Sequence, residues 1–189
     1  MANIELTKSQ KERIKRLLFR NLQKARVMAA EVNRKEKKKR IRKISEKAKL
    51  FIEKIELNSH VLKLILSALY LGEGTKREGA VELGSSNPKI AKAFVCLLRG
   101  LYKLDESRFK NTIFGRYDQI PDKLEKYWSN LLKIPRSQFY RTCLDKRTKN
   151  SQSYKDYRGV CLIRYTDTAL RREIILTGQF LLEKLIKIS

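Results

Sequence analysis

The sequence predicts an α+β fold, an antiparallel sheet with helices on one of its sides, preceded by a long basic helical extension. Two observations carry this prediction. From residue 61 onward, stretches with apolar residues three and four apart alternate with shorter stretches of period two, in the order α-β-β-α-β-α-β-β-α. Before Gly72 there is no Gly or Pro, so helix can run almost unbroken through the N-terminal segment.

The elements follow in chain order. Thr7-x-x-Gln10 is a capping box that opens a helix. Ile14, Leu18, Leu22, Ala25, Ala29 and Val32 share one face of it, and Arg34-Lys35-Glu36-Lys37-Lys38-Lys39-Arg40 interrupts that face. Ile41, Ile44, Ala48, Phe51 and Ile55 then recur three and four apart, as in a heptad seam. Helical from Thr7 to Leu57, the segment would reach about 75 Å, enough to lie across one or two turns of duplex.

The next helix has Asn58 or Ser59 as its N-cap and Gly74 as its stop. Val61, Leu62, Leu64, Ile65, Leu66, Leu69, Tyr70 and Leu71 make it apolar on nearly every side, which predicts a central buried helix. Residues 75–78, turned by Gly79, are predicted to pair as a hairpin with 81–86. Ser86-Asn87-Pro88 supplies a cap and a first-turn proline for a helix containing Ile90, Phe94, Leu97, Leu98 and Leu101. A strand at 108–116 places Arg108, Lys110, Thr112 and Arg116 on one face. Pro121 opens a helix with Leu124, Tyr127, Trp128, Leu131 and Leu132, closed by Ile134-Pro135. Strands at 138–144 and 159–166 flank a polar basic loop, and Asp167 or Thr168 caps a last helix at 169–188. Two regions result: a basic extension, 1–57, and a domain, 58–189.

Charge narrows the function. The formal net charge is +24 over 189 residues, which opposes self-association unless a polyanion is present. Residues 1–57 hold 19 Lys/Arg against 7 Asp/Glu, half of that net charge in less than a third of the chain. The default reading of the extension is a phosphate-binding arm; a solvated helix or a nuclear-targeting run at 34–40 is the alternative. No apolar run is long enough for a membrane span, and Met-Ala-Asn-Ile-Glu lacks a signal-peptide pattern, so a cytoplasmic, intracellular protein is expected. Cys96, Cys143 and Cys161 are odd in number and widely spaced, which suggests neither a disulfide framework nor a zinc site. His60 is the sole histidine, and Ser85 and Ser86 have no base to activate them.

The chemistry-bearing stretch is Leu66-Ser67-Ala68-Leu69-Tyr70-Leu71-Gly72-Glu73-Gly74. Ala68 and Gly72, four apart on one face, remove the bulk that keeps two helix backbones apart. Glu73 ends the helix at the negative pole of its dipole, where a bound cation relieves an unfavourable charge. The bland alternative is a buried helix whose last carboxylate points to water.

This stretch resembles the signature of the LAGLIDADG homing-endonuclease superfamily. Leu66, Leu69 and Gly74 match its letters, Ser67, Ala68 and Gly72 match by size, Glu73 matches by charge, and Tyr70 and Leu71 depart. The element order over residues 60–187 is similar to the family's αββαββα module, whose saddle-shaped sheet lies in the DNA major groove; the helix at 122–133 is an addition. The Asn-Pro helix start, the single Trp and the Ile-Pro-x-x-x-Phe exit are similar to a bacterial LAGLIDADG-like group that usually carries an N-terminal helix-turn-helix. Here the basic arm stands in that place, without the Gly-containing turn such a motif needs.

The resemblance implies a homodimer, because one chain holds one copy of the motif. Leu66, Ala68, Leu69 and Gly72 would form the dimer helix, and Glu73, with Gly72 beside it, would hold Mg2+ for cleavage of a near-palindromic duplex. Lys76, Arg141 or Arg164 would be the basic partner near the metal. Lys76, Arg77, Arg108, Lys110, Arg116, Arg141 and Arg164 are the candidate DNA contacts, together with Lys146, Arg147 and Lys149 of the basic loop, expected at a hairpin tip. Two rivals share this surface: a non-cleaving transcriptional regulator and an RNA-binding intron-splicing helper.

Overall fold

The computed structural model describes residues 6–75 and 77–188, which divide between Glu56 and Leu57 into two compact units. The first unit is a 46-residue helix, α1 (Lys8–Glu53), about 70 Å long. Its start is the expected capping box, with the Gln10 amide donating to Thr7 Oγ1 at 3.4 Å and the Thr7 amide donating to Gln10 Oε1 at 2.9 Å. None of its residues is buried.

At about 100° per residue, the strip of Ile14, Leu18, Leu22, Ala25, Ala29 and Val32 lies roughly a quarter turn away from the strip of Ile41, Ile44, Ala48 and Phe51. Between them the six cations of residues 34–40 point in all directions around the axis. The two strips therefore form no continuous seam.

The second unit is α+β. Among the described residues it contains α2 (Ser59–Glu73), β1 (Val81–Ser85), α3 (Pro88–Leu101), β2 (Thr112–Arg116), α4 (Pro121–Leu132), β3 (Cys143–Asp145), β4 (Val160–Tyr165) and α5 (Thr168–Ile186). Side chains cap most of the helices: Asn58 accepts from the Val61 amide, Asn87 from Lys89 and Asp167 from Leu170. At α4 the first-turn Pro121 serves instead, and Lys133 closes that helix in the left-handed region at φ 56°.

The strands run in the order β1-β4-β2-β3. β4 is antiparallel to both β1 and β2, but β3 is parallel to β2, so the sheet is mixed and not antiparallel as predicted. The cause lies in the connection, since α4 joins β2 to β3, and a crossover helix returns the chain to the end from which it set out. The predicted strand at 75–78 contracts to one bridge, Gly74 to Leu83, extended by the Thr75 amide donating to Glu82 O at 2.9 Å. A Cβ on Gly74 would lie 2.7 Å from ring atoms of Tyr70, so glycine lets the chain leave the helix across that ring. Lys76 lies outside the described residues.

Helices cover one face of the sheet. Leu66 and Tyr70 of α2, Phe94 and Leu98 of α3, Trp128 of α4 and Ile174 of α5 meet Val81, Leu83, Ile113, Ile163 and Tyr165 in one core. Trp128 is fully buried, and its indole N–H donates to Arg158 O at 2.7 Å, so the ring is both packed and satisfied. Burial pushes the Cys161 thiol up to about 12, which leaves it a packing group. No helix of the described residues is long and apolar enough to cross a membrane.

Candidate nucleic-acid interface

The motif helix has two unlike sides. Leu66 is fully buried in the chain's own core, so this candidate for a dimer contact is corrected to a core residue, while Leu69 is half-buried against that core. Ala68 and Gly72 are exposed, and a Cβ on Gly72 would have nothing within 4 Å. With the exposed Leu64, Ile65 and Leu71 they make an apolar stripe three and four residues apart, so α2 is open on one side and not a wholly buried helix.

Close helix packing does occur in the chain, on the flank of that stripe. At Gly178 of α5 a Cβ would lie 2.6 Å from Leu71 Cδ1 and 3.3 Å from Ser67 O. The small residue that admits this approach is on α5, where the sequence predicts no such role. An ion pair between Lys63 and Glu173 holds the same two helices together.

Glu73 is exposed at the end of α2, and no hydrogen bond or ion pair engages it among the described residues. Beyond it, the Gly74 amide donates to Tyr70 O at 2.8 Å. Carbonyls of a last helical turn lack intrahelical donors, so this end offers a carboxylate and partial negative charge together. Among the described residues no group of three or more His, Cys, Asp or Glu side chains is placed to hold a metal ion. Glu73 is therefore, among the described residues, a lone carboxylate, one of the several oxygen ligands that a hard cation takes.

Glu82 is an acid that sequence reasoning misses. Its side chain is 4% exposed on the sheet face away from the helices, covered by Thr75, whose Oγ1 donates to Oε2 at 3.1 Å, and by Arg164, whose Nε lies 3.1 Å from Oε1. An acid at the outward phase of a strand reads as solvated; the contact that buries it comes from the turn before the strand.

That outer face is the candidate binding surface. Lys110, Thr112, Phe114 and Arg116 alternate with buried Asn111, Ile113 and Gly115, as the period of two requires. Several predicted cations are already engaged. Arg164 is paired with Glu82, and Arg147 donates to Asp145 at 2.9 and 3.0 Å, which holds that carboxyl below its usual range. Arg108 lies in a turn at Glu106–Arg108, outside β2, bonded to Asp167 at 3.0 Å and stacked over Tyr165. Arg116 is bonded to Ser151 beside Asp145, and Lys149 sits over the Tyr117 ring. Arg77, Lys110, Arg141 and Lys146 are exposed and, among the described residues, carry no ion pair.

The basic loop is not a hairpin tip. β3 and β4 lie on opposite sides of β2, so residues 146–159 cross the end of that strand. They are strapped down: Tyr117 N donates to Thr148 Oγ1 at 2.9 Å, Ser153 N and Oγ each donate to Asp118 at 2.7 Å, and Gln119 Nε2 donates to Tyr157 O at 2.8 Å. The two bonds from Ser153 hold the Asp118 carboxyl below its usual range. At the centre of the outer face Phe114 lies in register with Val160 on one side and Cys143 on the other, an apolar patch whose sole sequence signal is the outward phase of Phe114.

Comparison with family models, with curated proteins and with solved structures finds no match.

Proposed function

We propose that this chain binds duplex DNA as a homodimer and cleaves it with Mg2+, two α2 helices meeting at the molecular two-fold. The observation that carries the reading is the open stripe of α2, small at Ala68 and Gly72, ending on Glu73, which no ion pair engages among the described residues. Pairing two such stripes would cover exposed Leu64, Ile65 and Leu71 and bring two Glu73 carboxylates towards one axis. The net charge of +24 makes a polyanion the natural partner, and Lys110, Arg141 and Arg77 offer uncompensated charge to phosphate.

When bound, Mg2+ would make its water more acidic and stabilise charge on the phosphate. Glu73 and the carbonyls beside it, Gly72 included, would hold the ion; Arg141 is better placed electrostatically than Arg164 to face a phosphate, because Arg164 already neutralises Glu82. A second reading, a DNA-binding regulator that does not cut, is favoured by the engagement of Arg164, a candidate basic partner, with Glu82.

A plasmid library offered to wild type and Glu73→Gln, with Mg2+ or with chelator, tests both. The nuclease reading expects cleavage by wild type in Mg2+ alone and unaltered or tighter binding by Glu73→Gln. Tight dimeric binding to a defined site without nicking in Mg2+ or Mn2+ would replace it by the regulator.

A further inference from the structure

We propose that the outer face of the sheet carries a stacking site for an unpaired nucleic-acid base, centred on Phe114, with Lys110 and Arg141 as its phosphate contacts. The site rests, as the proposed function does, on this face meeting nucleic acid, and it takes a different substrate class, a single-stranded segment.

Phe114 is 45% exposed although it belongs to a strand hydrogen-bonded on both sides. A scattered surface aromatic needs no explanation, but this one has ordered surroundings. Its register neighbours are Val160 and Cys143, and Leu162 stands opposite Thr112 two pairs along the β2–β4 ladder and so on the same face, which gives the ring an apolar floor. Tyr140, 56% exposed, is held beside β2 by its amide, which donates to Asn111 O at 2.8 Å. Exposed Lys110 lies four residues before Phe114 in the same outward phase, and exposed Arg141 lies two residues before Cys143, the register partner of Phe114.

The backbone beneath the ring is closely packed. A Cβ on Gly159 would lie 2.7 Å from Phe114 O, and one on Gly115 would lie 2.8 Å from Leu124 Cδ1. A ring presented from so fixed a base loses little freedom when a ligand stacks on it.

The ligand follows from chemistry. A flat apolar π-surface bordered by cations matches a base with its phosphodiester, since stacking on aromatics and cationic tracking of the backbone are what hold single strands. In a duplex the base faces are covered by their neighbours, and Phe114 would reach no more than a thymine methyl at a groove edge. An acidic protein surface would satisfy the cations and leave the ring without a planar partner.

The test uses the full chain and fluorescence anisotropy with four probes of equal length: single-stranded DNA, single-stranded RNA, the DNA duplex, and an abasic single strand. Phe114→Ala and Phe114→Leu should weaken binding of at least one base-bearing single strand about 5- to 150-fold, Phe114→Trp should retain it, and the loss should be larger for that single strand than for the duplex. The DNA and RNA arms decide which sugar is accepted. Wild type should hold the abasic strand about as weakly as Phe114→Ala holds the base-bearing one, a comparison that needs no mutant to fold. Lys110→Ala and Arg141→Ala should each make the single-strand salt slope shallower by about 0.7.

Equal wild-type affinity for abasic and base-bearing strands, or full retention by Phe114→Leu, would overturn the stacking site. Tight duplex binding would then leave the proposed function intact. Loss of duplex binding with a Phe114-dependent single-strand complex would remove the duplex reading and keep this one.

Discussion

Arg164 sits directly opposite Glu82 across the β1–β4 ladder, its Nε 3.1 Å from Oε1, and so spends its charge inside the chain. Arg164→Ala should leave a carboxylate that is 4% exposed without its cation and lower stability by about 1–3 kcal/mol, while Glu82→Gln with Arg164→Ala should recover part of the loss. Urea unfolding measures it. At constant folded fraction, nucleic-acid affinity should fall less for Arg164→Ala than for Arg141→Ala; the reverse order would make Arg164 a contact after all.

Two glycines on neighbouring helices should behave oppositely. Gly178→Leu drives a side chain into Leu71 and the Ser67 backbone and should cost about 1–3 kcal/mol or more, partly relieved by Leu71→Ala. Gly72→Leu enters open space in the single chain and should leave stability unchanged or raised by up to about 1 kcal/mol through helix propensity. Ala68→Leu and Gly72→Leu should nevertheless abolish the proposed dimer in sedimentation. Unchanged association in both variants would take α2 out of the interface.

Removal of residues 1–57 should weaken binding to all duplexes by similar factors, because bonds to phosphate carry no sequence information. The log-log salt slope should become shallower by about 0.9 for each phosphate that the shortened chain no longer neutralises. Matching slopes for the full and shortened chains would show that α1 is not on the DNA.

Acid should free the strap over β2. Asp118 is held below its ordinary value of 3.8 by hydrogen bonds from Ser153, so its contribution is complete above that value and is lost as pH falls through the lowered one. Proteolytic nicking of residues 146–158 should stay slow from neutral pH to about 4 and accelerate below. Ser153→Ala should move that onset upward, and an unchanged onset would mean that Asp118 does not hold the strap.

Local signals were legible in the sequence. Thr7, Asn58, Asn87 and Asp167 announce helix starts through side chains that accept backbone amides a few residues away, and Phe94 and Trp128 announce core through helical spacing. The partner of each surface was not legible. Leu66 and Ala68 lie on one helix two residues apart, and nothing local tells which faces the sheet and which stays open. The direction of β3 depends on the crossover through α4, the burial of Glu82 on Thr75 and Arg164, and the strap on Asp118 finding Ser153 35 residues later. Each is a long-range pairing that a periodicity cannot encode.

A partner pressed against the strip from Ile14 to Val32 would look sideways at the strip from Ile41 to Phe51. One flat surface cannot grip both; two partners are needed, or one that winds a quarter turn around α1. Residues 34–40 offer no apolar side at any angle, so whichever strip is occupied, this cationic belt stays wet. Occupation of either strip and neutralisation of the belt by phosphate are therefore compatible events, and the arm can be tethered at its ends while its middle remains open to a polyanion.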